Sequence, residues 1–351
     1  MEEKIKINFS GVSFDSNYSK KDTGYSTAGN NISRTLIKSG FDIAKFDPYY
    51  RKINLSFASP QTHIMFSGMY NILYSAHETT EITDHWARSL SKGDEVWATS
   101  TWTAEVFKKK LDKDVHVLPN GVSGSFVPGK RKVQKDKFIF LHLGEPYIRK
   151  GGQATVDAFL QEFEGNDDVL LLIKSYDQGH TILVPDAKGN LVEPQTIHKN
   201  IKTISKSTTE NDYLRILHNT HCLVFPSWGE GFGMMPLEAL ASGMPVISTW
   251  EWAEYKDEIK YRIDSDLTPV PDNLPNSLKE TYLGEIYIAR IESIRYNMRK
   301  VYENHEQAFE DAWLDSFKVH RKWNWEEVIE KYAVPRLKKI NGELNARIHG
   351  V

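Results

Sequence analysis

Apolar strand-like runs that pass through a loop into a helix-like run recur along this 351-residue chain, and that alternation most narrows what it can fold into. Repeated strand-then-helix order is satisfied by parallel sheets covered by helices, so the class is α/β. Ile5 to Phe9 reads as a first strand and Ser10 to Gly24 as its loop. A helix follows, in which Ala28, Ile32 and Leu36 recur every fourth residue before Gly40 stops it. Further strands are expected at His63 to Phe66, Asn71 to Ser75, Glu95 to Ala98 and Val115 to Leu118, the last closed by Pro119-Asn-Gly121.

Ser123 to Lys137 is rich in Gly, Pro, Ser and basic residues around Lys130-Arg-Lys132, carries no apolar period, and reads as an interdomain linker. A second strand series then starts at Phe138 to Leu141. It continues with a helix from Gly152 to Phe163, a strand Val169 to Ile173, a helix near Asp212 to Leu217, a strand Cys222 to Phe225, a helix to about Ala241 and a strand Pro245 to Ser248. Ser175 to Ser207 reads as an elaborated loop. Ile286 to Ile340 reads as mostly helical, with Trp323-Asn-Trp325 before a final amphipathic helix. The expected organisation is two similar halves, residues 1–130 and 131–321, with the last helix, about 322–351, packing back on the first.

At 40% apolar and 12% aromatic residues, each half can bury its own core, which sets disorder aside. A formal charge of -3 demands no polyanionic partner. The single cysteine, Cys222, sits in an apolar strand and reads as a buried thiol, so a disulfide framework is excluded. Met1-Glu-Glu-Lys-Ile-Lys-Ile7 lacks the basic start and apolar length of a signal peptide, and no window approaches a membrane span, so the default compartment is cytoplasmic. Lys108-Lys-Lys110 beside Val106, Phe107 and Leu111 reads as a solvated helix face, with peripheral membrane contact as the alternative. No His/Cys cluster has zinc spacing, and Asp264-Ser-Asp266 reads as a turn rather than a metal motif.

Two segments carry chemistry. In Pro226-Ser-Trp-Gly-Glu-Gly-Phe-Gly-Met-Met-Pro-Leu-Glu238, a strand ends at Phe225, and Gly229, Gly231 and Gly233 bracket Glu230 and Phe232. A helix follows and stops at Gly243. Glycines let the backbone approach a ligand, and N–H groups at the positive end of a helix are a natural seat for phosphate. Glu230 precedes the helix while Glu238 lies about two turns inside it, so the pair can bind different parts of one extended ligand. On spacing alone they could equally be a helix-start carboxylate and a solvated helical residue. The second segment, Phe140-Leu-His-Leu-Gly-Glu-Pro-Tyr-Ile-Arg-Lys-Gly-Gly152, places Arg149 and Lys150 where a helix begins, the wrong end for cations unless an anion binds there. A guanidinium fork and an ammonium suit a diphosphate.

Together these segments resemble the retaining glycosyltransferases of family 4, which have the GT-B fold of two Rossmann-like domains facing across a cleft. The resemblance rests on the Glu-x7-Glu spacing of Glu230 and Glu238 inside Pro-Ser-x-x-Glu-Gly-Phe-Gly, followed by Glu-Ala-Leu-Ala-Ser-Gly-Met-Pro-Val-Ile. It extends to Arg149-Lys-Gly151, Val117-Leu-Pro-Asn-Gly-Val122 and Trp325-Glu-Glu. It also takes in His77-Glu-Thr-Thr80 with Trp86, Asp94-Glu-Val-Trp97 and Ser100, and is loose before Gly68. It implies a metal-independent transfer, with retention and without a cofactor, from a nucleotide sugar to a glycan or glycolipid acceptor. Glu230 would then contact donor-sugar hydroxyls, Glu238 the ribose, and Arg149 with Lys150 the diphosphate. Phe232, Gly233, Met234 and Met235, with Gly231 before them, would present backbone to the same phosphates. His77 would face the reacting sugar, and Gly24-Tyr-Ser-Thr27, with Ser26 and Thr27, would close over the donor.

Many relatives carry an arginine after the glycine of the second loop. Here Glu145 follows Gly144, which shifts phosphate binding onto Arg149, Lys150 and Lys174. Retention in the family is ascribed to front-face attack assisted by the leaving phosphate, so no carboxylate nucleophile is assigned. Alternatives are a phage-type enzyme that glycosylates a hydroxylated base in DNA, a catalytically idle nucleotide-sugar-binding partner subunit, and an epimerase. A dehydrogenase is disfavoured because neither loop reads G-x-G-x-x-G.

Overall fold

The computed structural model describes residues 4–11, 24–133, 137–144, 148–175, 183–186, 188–206, 208–272 and 281–349. Six parallel strands form the first sheet: β1 Lys6–Ser10, β2 Asp42–Lys45, β3 Ile53–Phe57, β4 Tyr70–Ser75, β5 Glu95–Ala98 and β6 Val115–Val117. Their order is β2-β1-β3-β4-β5-β6. Helices α1 Gly24–Lys38, α2 Asp84–Leu90 and α3 Thr101–Lys108 pack on it. Ala28, Ile32 and Leu36 of α1 are all fully buried, as their spacing predicts.

Between β3 and β4 the chain makes no helix, and His63 to Phe66 does not form the expected strand. Residues 58–69 lie against the sheet as loop, and a buried asparagine ladder satisfies their backbone. Asn8, Asn54 and Asn71 are register partners on β1, β3 and β4. Asn8 Nδ2 donates to Asn54 Oδ1 (2.9 Å), and Asn54 Nδ2 donates to Asn71 Oδ1 (3.0 Å) and to Ile64 O (2.8 Å). Asn71 Nδ2 donates to Phe66 O and Met69 O. His63 plugs the same face, its ring nitrogens meeting Ser56 Oγ and Ser75 Oγ.

The second sheet is built from β7 Phe138–Leu143, β8 Val169–Ser175, β11 Ile201–Ser205, β12 Cys222–Phe225, β13 Val246–Ser248 and β14 Tyr261–Arg262, in the order β11-β8-β7-β12-β13-β14, again parallel. Helices α4 Gly152–Phe163, α6 Glu210–Asn219 and α7 Met234–Ala241 connect its strands. Within Ser175 to Ser207 the described residues include a small hairpin, β9 Val184–Pro185 with β10 Leu191–Val192, a turn of helix α5 Pro194–Ile197, and β11. That stretch is therefore more than a loop. A hairpin of β15 Ser265–Pro269 and β16 Glu285–Ala289 replaces the turn read at Asp264-Ser-Asp266 and the helix read from Ile286; Asp266 is paired with Arg290.

Arg131, read as part of an interdomain linker, is buried. Its Nη1 donates to Leu217 O and Thr220 O, its Nε to Gly243 O and its Nη2 to Ser242 O. One guanidinium thus caps the carbonyl ends of both α6 and α7, where the helix ladder supplies no donors. Cys222 is fully buried.

After helices Ile291–Glu303 and His305–Trp323, the chain returns to the first sheet as Trp325–Val328, a π turn at Ile329–Ala333 and a last helix, Val334–His349. His116 Nε2 on β6 donates to Tyr332 O within this π turn at 2.7 Å. Trp323 and Trp325 are buried in a core cluster that runs from Ile7 on β1 to Leu223 on β12 and Leu337 on the last helix.

Candidate functional site

In each sheet the strand order reverses direction at one point, between β1 and β3 and between β7 and β12. Crevices at the carboxyl ends of such strands are where open α/β sheets hold ligands. β7 and β12 lead into the two glycine-rich segments. After β7, Gly144 (φ 157°) lets the chain fold over Lys150, whose Cβ lies 3.1 Å from where a Gly144 Cβ would stand. Glu145 lies outside the described residues. A short 3-10 turn, Ile148–Lys150, follows, and Gly151 (φ 71°) leaves no room for a side chain against the Pro226 carbonyl. The close approach binds the loops together, with Trp228 N–H donating to Arg149 O at 2.8 Å.

Three donors converge on one oxygen. Glu230 Oε1 accepts from Lys150 Nζ (2.7 Å), Arg149 Nη1 (2.9 Å) and Ser227 Oγ (2.6 Å), and all four residues are buried. Arg149 Nη1 also donates to Gly229 O, its Nε to Tyr282 OH (3.1 Å), and its Nη2 lies 3.8 Å from Glu78 Oε1. Burial works against charge on Glu230, but Arg149 and Lys150 outweigh it and hold the carboxyl below its usual range. Burial likewise opposes the Arg149 charge and is outweighed by Glu230, Tyr282 and Glu78. Lys150 is pulled down by burial, with Glu230 opposing.

The glycines also meet the first half of the chain. A side chain at Gly229 would strike Glu78 O and one at Gly231 would strike Ala76, so the loop after β12 sits against the loop after β4. Gly231 O accepts from Thr99 Oγ1 at 2.7 Å. His77 follows Ala76 in the loop after β4 and is buried, its ring against Trp86 and Phe107. Its Nε2 donates to Glu81 O (2.7 Å), while its Nδ1 is buried with no hydrogen-bond partner. Burial keeps its imidazole below the ordinary value, hence neutral.

α7 starts without a side-chain cap after Gly233 (φ 76°), whose carbonyl accepts from Tyr255 OH. Phe232 packs into the core against Tyr255 and Trp323, and Met234 and Met235 are partly buried against the same cluster. Glu238 is buried rather than solvated. Its Oε2 accepts from Tyr213 OH at 2.9 Å, and burial pushes its carboxyl up to about 7.

Lys174, at the carboxyl end of β8, is fully buried and donates to Ser175 O and Lys206 O (2.8 Å), so main-chain carbonyls already engage its ammonium. Gly24, Ser26 and Thr27 form the first turn of α1 at the carboxyl edge of the first sheet. Of the basic run at the end of α3, Lys109 donates to Thr80 O and Lys110 pairs with Asp84, both just beyond the helix. The sequence reading did not single out Ser227, Glu78, Tyr213 or Tyr282. The first two stand inside quoted motifs, whereas Tyr213 lies in a helix pattern that assigns it no role, Tyr282 lies in none, and both arrive through tertiary packing.

Residues 128–253, the span that contains both glycine-rich segments, match the family model described as glycosyl transferases group 1. A protein of Sulfolobus islandicus filamentous virus, isolate Iceland/Hveragerdi, named as a candidate glycosyltransferase, is 24% identical over 174 residues, 47% of this chain and 45% of its own. The chain therefore spans about half the length of that relative. Sucrose-phosphate synthase from Thermosynechococcus elongatus superposes with TM-score 0.64 at 13% identity, over 97% of this chain and 99% of its own. WaaG, a glycosyltransferase involved in lipopolysaccharide biosynthesis, does so with TM-score 0.61 at 12% identity, over 93% and 97%. The fold is GT-B. Within that GT-B frame, the Arg149–Lys150–Glu230 cluster stands at the switch point of the second domain, and the loop carrying His77 and Glu78 meets it from the first. No described helix is long and apolar enough to cross a membrane.

Proposed function

We propose that this chain is a glycosyltransferase that moves a sugar, with retention, from a nucleotide diphosphate donor to a hydroxyl of a glycan or glycolipid acceptor. The observation that carries the proposal is the convergence of Arg149 and Lys150 on Glu230 beside the uncapped start of α7. Lys150 donates to one carboxylate oxygen, so its ammonium keeps donors for a diphosphate, and backbone N–H groups of Met234 and Met235 at the helix start add to that pull. This positive seat neutralises charge growing on the leaving nucleotide, the service a metal ion gives elsewhere, so the transfer needs none. Arg149, engaged by Gly229 O, Glu230 and Tyr282, mainly orients Glu230 towards the sugar hydroxyls. His77 offers its unpaired Nδ1 to a hydroxyl of the transferred sugar. Three donors on Oε1 fix the Glu230 carboxylate and leave Oε2 to accept from a sugar hydroxyl, which suits positioning better than nucleophilic attack and favours front-face transfer.

The test is hydrolysis of a panel of sugar nucleotides by the purified chain and by Lys150→Ala, followed by chromatography of the released nucleotide. Turnover of at least one donor is expected, and Lys150→Ala should lower it about 10²–10³-fold, the usual cost of one donor aimed at developing charge. Neither binding nor turnover of any sugar nucleotide would end the proposal. Binding without turnover would favour the idle partner subunit instead.

A further inference from the structure

The segment 45–51 leaves the carboxyl end of β2 as a strap that is both pinned and strained. Phe46 and Tyr50 take the left-handed backbone region, at φ 53° and 57°, where bulky side chains are rarely found. Phe46 N–H donates to Phe9 O (3.3 Å), Asp47 N–H to Asn8 Oδ1 (2.9 Å), Tyr49 N–H to Asp47 Oδ1 (3.2 Å) and Arg51 N–H to Pro48 O (3.3 Å). Asn8 belongs to the buried ladder, so the strap is anchored in the sheet itself. From this anchored backbone three rings project into solvent: Phe46 is 40% exposed, Tyr49 77% and Tyr50 94%. Held rings without a packing duty point to a ligand, because strain of this kind persists where surrounding structure enforces it and it gathers at binding sites.

Position and charge narrow the ligand. All six strands of the sheet are parallel, so the strap shares its carboxyl edge with His77 after β4 and Thr99 after β5, the residues that flank the Gly229–Gly233 loop. β2 is three strands from β4, a lateral separation of about 14 Å at the usual strand spacing. A molecule reaching both places is extended. Asp47 sets an exposed carboxylate among the rings, while Arg51 is tied to Asp42 and Lys45 donates to Asn30. A ring face takes the apolar C–H side of a pyranose, and a carboxylate accepts from its hydroxyls.

We infer that Phe46, Asp47, Tyr49 and Tyr50 form a stacking subsite for a sugar ring of the acceptor, so that the acceptor is an extended glycan reaching from the reaction centre to this strap. The inference rests on the glycosyltransferase reading for its word acceptor, and its test separates the two. The full chain, a Tyr49→Ala/Tyr50→Ala double variant, the matching double Phe variant and Asp47→Asn are applied to a printed array of neutral and N-acetylated oligosaccharides, with duplex DNA as counter-probe. Sugar-nucleotide hydrolysis and Tm are followed in parallel. The wild type should retain at least one oligosaccharide. The double Ala variant should lose about tenfold or more in apparent affinity, and Asp47→Asn should also weaken retention, while the double Phe variant stays within about twofold. Hydrolysis and Tm should not move. No retained glycan, equal retention by the double Ala variant, or Tyr-dependent retention of DNA instead would overturn the subsite. Tyr-dependent glycan retention by a chain that hydrolyses no donor would uphold the subsite and overturn only the catalytic reading.

Discussion

Glu238 lies deep enough in α7 that its own ionisation works against folding. Burial raises its carboxyl from 4.5 to about 7, with Tyr213 OH only partly compensating. The folded state therefore holds a proton that the unfolded chain releases. Stability is full below the ordinary carboxyl value, falls as pH rises towards about 7, and is flat beyond it. Glu238→Gln removes the penalty. It should raise stability by up to roughly 3 kcal/mol at pH 8 and by almost nothing at pH 4, which urea denaturation at the two values checks. Equal effects at both would place the proton elsewhere. The spacing of Glu230 and Glu238 in the sequence suggested two acids on one extended ligand, but it could not distinguish a buried Glu238 from a solvated one. The burial depends on α6, which brings Tyr213 across from a segment whose pattern announces only a helix. Glu230 between glycines before a helix, and Arg149 with Lys150 at the wrong helix end for cations, pointed to an anion only when taken together, since each alone reads equally as a helix-start carboxylate or a solvated basic loop.

Among the elements, those with a clear apolar period were read nearly to their ends: α4 spans Gly152–Phe163 and β12 Cys222–Phe225, as their patterns predict. β2 and β3 were missed for opposite reasons. Asp42-Ile-Ala-Lys45 is too short and polar to show alternation, and Ile53-Asn-Leu-Ser-Phe57 buries Asn54 for the ladder, so its polar positions do not mark a solvent face. The last helix was foreseen, but not what moors it. Glu95 on β5 is buried and accepts from Arg336 Nε (2.8 Å) and Nη2 (2.6 Å), from Trp97 Nε1 (2.7 Å) and from Tyr70 OH (3.1 Å). Burial opposes its charge, but Arg336 and Trp97 hold its carboxyl low. Arg336→Met keeps much of the stem packing and leaves Glu95 with its neutral donors only. The variant should lose about 1–3 kcal/mol at pH 7. Because a lowered carboxyl contributes stability above its ordinary value and loses it as pH falls through the folded one, the deficit should shrink in acid. A deficit independent of pH would assign the helix docking to packing alone.

At the level of the whole molecule, two lobes meet over the charge cluster mainly through uncharged donors. Thr80 N–H donates to Glu285 O (3.0 Å) and Glu285 N–H returns to Thr80 Oγ1 (2.7 Å), while Thr99 Oγ1 reaches Gly231 O and Thr101 Oγ1 reaches Glu254 (3.0 Å). The long-range charge contact across the same seam is Glu78 facing Arg149 Nη2 at 3.8 Å, too far for a hydrogen bond yet close enough to be felt. In the proposed reaction a diphosphate occupies that field, so Glu78 competes with it for Arg149 and repels it. Glu78→Gln should keep the seam closed and tighten binding of the free nucleoside diphosphate about three- to tenfold, or roughly 0.7–1.4 kcal/mol, with a weaker salt dependence than a surface pair would show. Titration calorimetry at two ionic strengths reads both quantities. If affinity falls instead, the carboxylate is part of what holds the lobes together, closure depends on charge rather than on the threonine contacts, and the nucleotide binds an arrangement that Glu78 helps to assemble.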